Sequence, residues 1–283
     1  MARRQLRALR VIALLLAGIT AAVLLVNRFQ RDADGAGQVL PYRQFRSHSG
    51  ILREVVFAPD SRSFATSSVD GTVRLWSLPD AGLQRVLVHP SGVTSVDFSS
   101  DGKRLMTGSY DGVARIWRLP EGTLERVLTG HVGTVWSVAI SPSGKLVASA
   151  GEDTTIRLWR GDTGEPLHVL RGHERNVWSV AFSPDSQVLV SGGFDRTVRM
   201  WRTDTGTLVR TLRGHQQAVV AVAYSPDADV VASGGDDSTV RLWRAKDGRA
   251  IRTLAGRSDH VYSVAFTGDG RWLASEGELG RTE

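Results

Sequence analysis

Along most of the chain, apolar and polar residues alternate with a period of two in short runs rich in β-branched side chains, as in Val177 to Phe182 and Thr197 to Trp201. This pattern predicts half-buried or buried strands, because successive side chains of a strand point to opposite faces. Turn signals separate the runs. Ser141-Pro142-Ser143-Gly144 and Ser183-Pro184-Asp185 join the first two strands of a unit, where proline presets φ and Asp or Gly suits the positions that follow. Gly122, Gly164, Gly206 and Gly248, each five residues after a tryptophan, end a third strand. Each unit therefore predicts a small antiparallel sheet.

Four residues fix the frame of the units. In the stretch from Gly172 to Trp201 they are His173, Ser191, Asp195 and Trp201, at offsets 0, 18, 22 and 28. The same offsets recur at His48, Thr66, Asp70, Trp76; at His89, Thr107, Asp111, Trp117; at His131, Ser149, Asp153, Trp159; and at His215, Ser233, Asp237, Trp243. In such a sheet a His, a hydroxyl, an Asp and an indole N–H can donate and accept in series, so that polar groups hidden between sheets stay satisfied. One of them left unpaired costs roughly 1 to 3 kcal/mol. A hydrolytic triad also needs a His, a Ser and an Asp. Five copies of one active site in 283 residues do not fit a single nucleophile, and the recurrence fits a structural role.

This repeat of about 42 residues, opening on glycine-histidine and closing on a strand that ends in tryptophan, resembles the WD-repeat β-propeller family over residues 40 to 279 or so. The resemblance implies an all-β fold, a β-propeller of four-stranded antiparallel blades in which the quartet is a hydrogen-bonded network. The family's aspartate after tryptophan is replaced by Ser77, Arg118, Arg160, Arg202 and Arg244. Five repeats are complete, at about 48–88, 89–130, 131–172, 173–214 and 215–256, and a partial one covers 257–283. In the second, Val88 replaces the glycine and the connection from Trp76 to His89 is one residue shorter than the others. In the sixth, Gly256-Arg257 replaces glycine-histidine, Ser275 keeps the hydroxyl, Leu279 replaces the aspartate, and the tryptophan would fall beyond Glu283. An incomplete reading frame is the expectation, with an irregular blade or completion by another copy as the alternatives. Leu40 to Phe45 matches Thr123 to Leu128 in register, so the family pattern implies that it closes the ring on the last blade.

Charge is uneven. Residues 1–31 hold six arginines and no acid, while residues 32–283 hold 29 basic and 29 acidic residues. The propeller is thus expected to be neutral, with Arg74, Arg115, Arg157, Arg199 and Arg241 spread one per repeat, and nucleic acid is not an expected partner. Residues 1–31 are expected to form an arginine-rich cytoplasmic end and a transmembrane signal anchor, with 32–39 as a linker. The apolar run from Val11 to Val26 gives a helix about 24 Å long, slightly short of a bilayer core of about 30 Å, which Leu6 and Leu9 with snorkelling Arg7 and Arg10 can extend. By the positive-inside tendency the propeller then lies on the extracytoplasmic side of the membrane, single-pass. A cleaved signal peptide and a secreted domain are the alternative.

Cysteine is absent, which removes disulfides, thiolate nucleophiles, an acylated cysteine and cysteine-bound zinc. His168 and His260 lie outside the quartets without metal-ligand spacing, and no Walker loop or HExxH occurs, so no cofactor or metal is expected. In the family, partners are often gripped at offsets 3, 5 and 21 from the histidine, which makes Tyr110, Trp136, Trp178, Phe194 and Tyr262 candidate partner-binding residues. Inward packing of Trp136 and Trp178 is the competing reading. The function expected is a non-catalytic protein-interaction platform or sensor. The alternatives are a propeller enzyme with a central-channel site and a part of a larger signalling protein.

Overall fold

The computed structural model of the protein describes residues 22–24, 43–45, 48–78, 82–255 and 258–279. Five four-stranded antiparallel sheets follow one another along the chain, each with its strands in sequence order. The first holds Leu52–Phe57, Ser63–Ser68, Thr72–Ser77 and Leu83–Val88. The second holds Val93–Phe98, Arg104–Ser109, Ala114–Arg118 and Thr123–Leu128, and the third Val135–Ile140, Leu146–Gly151, Ile156–Arg160 and Pro166–Leu170. In the fourth are Val177–Phe182, Val188–Gly193, Thr197–Arg202 and Leu208–Arg213. The fifth comprises Val219–Tyr224, Val230–Gly235, Thr239–Arg244 and Ala250–Ala255. A sixth sheet has two strands among the described residues, Ser258–Phe266 and Leu273–Leu279.

The first strands stand side by side in chain order and form the inner wall. Valines of one inner strand fill the space left by small residues of the preceding sheet. A Cβ on Gly192 would come within 2.7 Å of Val219, so a side chain there cannot coexist with this spacing of the sheets. Polar latches also join neighbouring inner strands. The backbone N–H of Val96 donates to Glu54 at 2.7 Å, that of Val138 to Ser95 at 3.2 Å, that of Val180 to Ser137 at 3.2 Å and that of Val222 to Ser179 at 3.1 Å. Ala221 holds this place in the fifth sheet and brings no acceptor.

Outer strands are mostly exposed, and in the first four sheets one leucine of the strand turns inward. Leu87, Leu128, Leu170 and Leu212 are buried in clusters that contain the quartet tryptophan of the next sheet, respectively Trp117, Trp159, Trp201 and Trp243. Leu254, in the fifth sheet, is 38 % exposed. Glu276 of the sixth sheet occupies the place held by Ser67, Gly108, Ala150, Gly192 and Gly234 elsewhere, and burial pushes its carboxyl up to about 7.

One expectation changes at the N-terminus, and a second falls almost wholly outside the described residues. Arg43–Phe45 pairs antiparallel with Ala22–Leu24, not with the sixth sheet, so the closing strand does not take the place expected for it. A nearby partner encloses a far shorter loop than the last sheet would, and loop-closure entropy favours the short loop. The expected transmembrane helix lies outside the described residues except for Ala22–Leu24, which is extended. Among the described residues no helix is long and apolar enough to cross a membrane.

Candidate functional site: quartets inside the sheets and an aromatic mouth above them

Four of the five quartets are closed chains of hydrogen bonds. In the fourth sheet the Trp201 indole N–H donates to Ser191 Oγ at 2.8 Å, Ser191 Oγ lies 2.8 Å from His173 Nε2, and His173 Nδ1 lies 2.9 Å from Asp195. The direction that satisfies every atom has the hydroxyl donating to Nε2 and Nδ1–H donating to the carboxylate, a tautomer assigned from the network. The same links join Trp76, Thr66, His48 and Asp70. They recur through Trp159, Ser149, His131 and Asp153, and through Trp243, Ser233, His215 and Asp237. The carboxylates are held further by the backbone N–H of the residue after the histidine and by a threonine two residues on, as by Glu174 and Thr197 at Asp195.

Burial opposes the charge on Asp70, yet bonds from Thr72 and His48 outweigh it and draw its pKa down to about 2. Burial also lowers His48, His131 and His215 from the ordinary histidine value, against the upward pull of their aspartates. The hydroxyls of Thr66, Thr107, Ser149, Ser191 and Ser233 belong to residues at most 2 % exposed. A substrate carbonyl cannot reach an oxygen lodged between an indole and an imidazole inside a sheet. The arrangement has the hydrogen bonds of a triad and no access for a reactant.

The second quartet is wired differently. His89 still meets Thr107 at 2.9 Å and Trp117 donates to Thr107 at 3.0 Å, but Asp111 turns away and pairs with Arg115 at 2.7 Å. His89 Nδ1 is left 3.3 Å from the carbonyl of Leu87. Three substitutions account for the change. Pro90 has no N–H to give Asp111, and Val113 stands where Thr72, Thr155, Thr197 and Thr239 supply a hydroxyl. Val88 replaces the glycine on which the arginine lies in the third, fourth and fifth quartets: a Cβ on Gly130, Gly172 or Gly214 would come within 2.6 to 2.7 Å of the Nη1 of Arg157, Arg199 or Arg241. The arginines of the third to fifth quartets therefore cover the glycine before the histidine, Arg199 also reaching Asp195 at 3.5 Å, while Arg115, with Val88 in place of that glycine, closes on Asp111 at 2.7 Å. Burial, with the Arg115 charge beside it, pushes His89 down to about 4. Val113→Thr returns a donor to Asp111 and is expected to raise the unfolding free energy by about 1 kcal/mol. Urea titration checks this; an unchanged midpoint would mean that the Arg115 pair replaces the lost bonds fully.

Above the quartets, every inner strand carries a β-bulge at the residue five after the histidine position, so that two residues face one across the pair. The bulged residues are Arg53, Thr94, Trp136, Trp178, Val220 and Tyr262. A bulge takes its residue out of the in-and-out alternation and re-aims the side chain. Trp136 and Trp178, on neighbouring sheets, stack with centroids 5.2 Å apart. Tyr110 meets Trp136 edge-on at 5.7 Å, Phe194 leans on Trp178 at 5.8 Å, and the Arg53 guanidinium lies 5.9 Å from the Trp136 ring. Arg53 belongs to the first sheet and Trp136 to the third, and side chains of non-adjacent sheets meet only across the ring's centre. The cluster thus lies over the mouth of the channel between the inner strands. Phe194 is 40 % exposed, while Tyr110, Trp136 and Trp178 are half-buried. Tyr262 stands apart, stacked on His260, which lies 3.4 Å from Asp236. Among the described residues no group of three or more His, Asp or Glu side chains could hold a metal ion.

The family model for the WD domain, G-beta repeat, matches residues 40–77, 82–118, 122–160, 164–202, 206–244 and 248–278. The chain belongs to this WD-repeat family. The four matched WD repeats between 82 and 244 each run from the outer strand of one sheet through the third strand of the next, as 82–118 runs from Leu83–Val88 to Ala114–Arg118. Each of these four is thereby built into two sheets, which ties neighbouring blades covalently. WD propellers generally serve as non-catalytic scaffolds for protein–protein interaction. No curated protein matches the chain. The quartet positions were legible from spacing. The rewiring at Asp111 was also present in the sequence, in Val88, Pro90 and Val113, but only the geometry connects those three substitutions.

Proposed function

We propose that the protein is a membrane-tethered, non-catalytic interaction platform whose propeller lies on the extracytoplasmic side and receives protein partners at the mouth of its channel. The observation that carries this reading is the cluster of Tyr110, Trp136, Trp178 and Phe194, a patch of rings contributed by three adjacent sheets and partly open to solvent. Aromatic side chains are the usual anchors of protein interfaces. The equal numbers of acidic and basic residues after position 31 support a protein partner over nucleic acid. Support for the tether comes from the apolar run Val11 to Val26 behind four arginines.

A photo-crosslinking residue placed at position 194, in the full chain expressed in membranes and solubilised in detergent, tests the docking face. A specific protein adduct is expected, and the Trp178→Ala change is expected to weaken it by roughly 30-fold or more, as for a central interface anchor. Repeated failure to crosslink a defined partner would overturn the platform reading. Extraction by detergent but not by alkaline carbonate is expected of the tether; release by carbonate would contradict it.

A further inference from the structure

The mouth has an excess of donors. Arg53 Nε, Trp136 Nε1 and Trp178 Nε1 are buried and meet no acceptor, whereas the indoles of the five quartets all donate to a hydroxyl. Arg53 lies over the Trp136 ring, and among the described residues no carboxylate comes within ion-pair distance of it. Leaving buried donors unpaired is unfavourable, and the penalty is removed by any ligand that brings acceptors. One guanidinium supplies one positive charge, and its planar fork matches a carboxylate. A second negative charge would meet Glu152, which stands in its repeat where Tyr110 stands in the one before, its carboxylate held at the rim by the N–H of Thr134 at 2.9 Å. Tyr110 and Phe194 wall the place with apolar surface.

We propose that the channel mouth binds a single carboxylate of a partner polypeptide, an Asp or Glu side chain flanked by apolar residues, with Arg53 as its cation and the Trp136 and Trp178 indoles as donors. This rests on the docking reading of the same mouth and names the chemistry that the mouth selects. Binding must turn the indole edges toward the ligand, so their N–H resonances report it directly.

The experiment uses the full chain in detergent micelles, labelled with 15N-tryptophan, and three capped peptides, Ala-Leu-Glu-Leu-Ala, its Gln counterpart and its phosphoserine counterpart. The Glu peptide is expected to shift the Trp136 and Trp178 indole peaks and leave the five quartet indoles in place. It should bind at least about tenfold more tightly than the Gln peptide, the order of a charge-assisted hydrogen bond. Arg53→Gln should bring the two within about twofold, and Arg53→Lys should restore part of the preference; unchanged quartet peaks in both variants show that the fold is intact. Equal binding of Glu and Gln peptides, tighter binding of the phosphoserine peptide, or no shift with millimolar Glu peptide would each overturn the proposal. The docking reading survives those results if the crosslink at position 194 persists, and falls only if the crosslink is absent.

Discussion

Trp201→Ala is expected to destabilise the protein by about 3 to 5 kcal/mol, enough to unfold a domain of ordinary stability at moderate urea concentration. Trp201 is 1 % exposed and sits in one cluster with Leu170 of the preceding sheet and Val177, Val180 and Leu189 of its own. Its removal opens a cavity between two blades and strips the Ser191 hydroxyl of its indole donor. Trp201→Phe separates the two effects, because it keeps most of the apolar volume and loses the N–H. It should cost about 1 to 3 kcal/mol, the penalty of one unmet bond plus imperfect filling. Urea midpoints at unchanged slope are the check; a loss under 1 kcal/mol for the alanine variant would show that the blades do not depend on this contact.

Acidification is expected to weaken the fold in two stages. His48, His89, His131 and His215 all have folded pKa values below the ordinary 6.5, burial being the main cause. Between that value and the folded one, the unfolded chain binds protons that the folded chain refuses, so stability rises with pH and falls as pH falls. For His89, drawn down to about 4, the loss from pH 6.5 to pH 4 is roughly 3 kcal/mol. The quartet aspartates add a second stage. Their depressed pKa values, as at Asp70 near 2, contribute stability above the ordinary carboxylate range that disappears as pH falls through the folded value. The urea midpoint should therefore decline steadily below pH 6.5, and His89→Gln should flatten part of that decline. A midpoint constant from pH 7.5 to pH 5 would contradict the neutral, buried state of these imidazoles.

The fold was legible because its signals are repeated and local. A period of two, proline turns and an invariant spacing of His, hydroxyl, Asp and Trp each specify a strand or a turn without reference to distant residues, and the described sheets follow those marks closely. What the spacing did not show depends on contacts between repeats. Asp111 occupies the quartet position but has lost the donors that would hold it to His89, a consequence of residues on either side of it. Arg53 shares the offset from its histidine that Trp136 and Trp178 have, but spacing within one repeat does not show that it reaches Trp136 two sheets away. The candidate aromatics separated for the same reason: bulges on neighbouring sheets bring Trp136 and Trp178 together, and Tyr262 stacks on His260 instead. Leu40 to Phe45 had the register of a closing strand, but register alone does not choose between two possible partners, and Arg43–Phe45 takes the nearer one.

The account separates residues that hold the blades from residues that meet a partner, and two adjacent side chains place that division within reach of one assay. Asp195 is locked to His173 inside the fourth blade, while Phe194, its neighbour in sequence, is 40 % exposed at the mouth. Urea midpoint and crosslinked-partner yield should be measured side by side in Asp195→Asn and Phe194→Ala, the yield read from a photo-crosslinking residue at Tyr110. Asp195→Asn is expected to lower the midpoint while the folded protein keeps its partner, and Phe194→Ala to leave the midpoint within about 0.5 kcal/mol of the parent while the partner is lost. The reverse outcome, a stable Asp195→Asn protein that no longer binds beside a Phe194→Ala protein that binds as before, would contradict it.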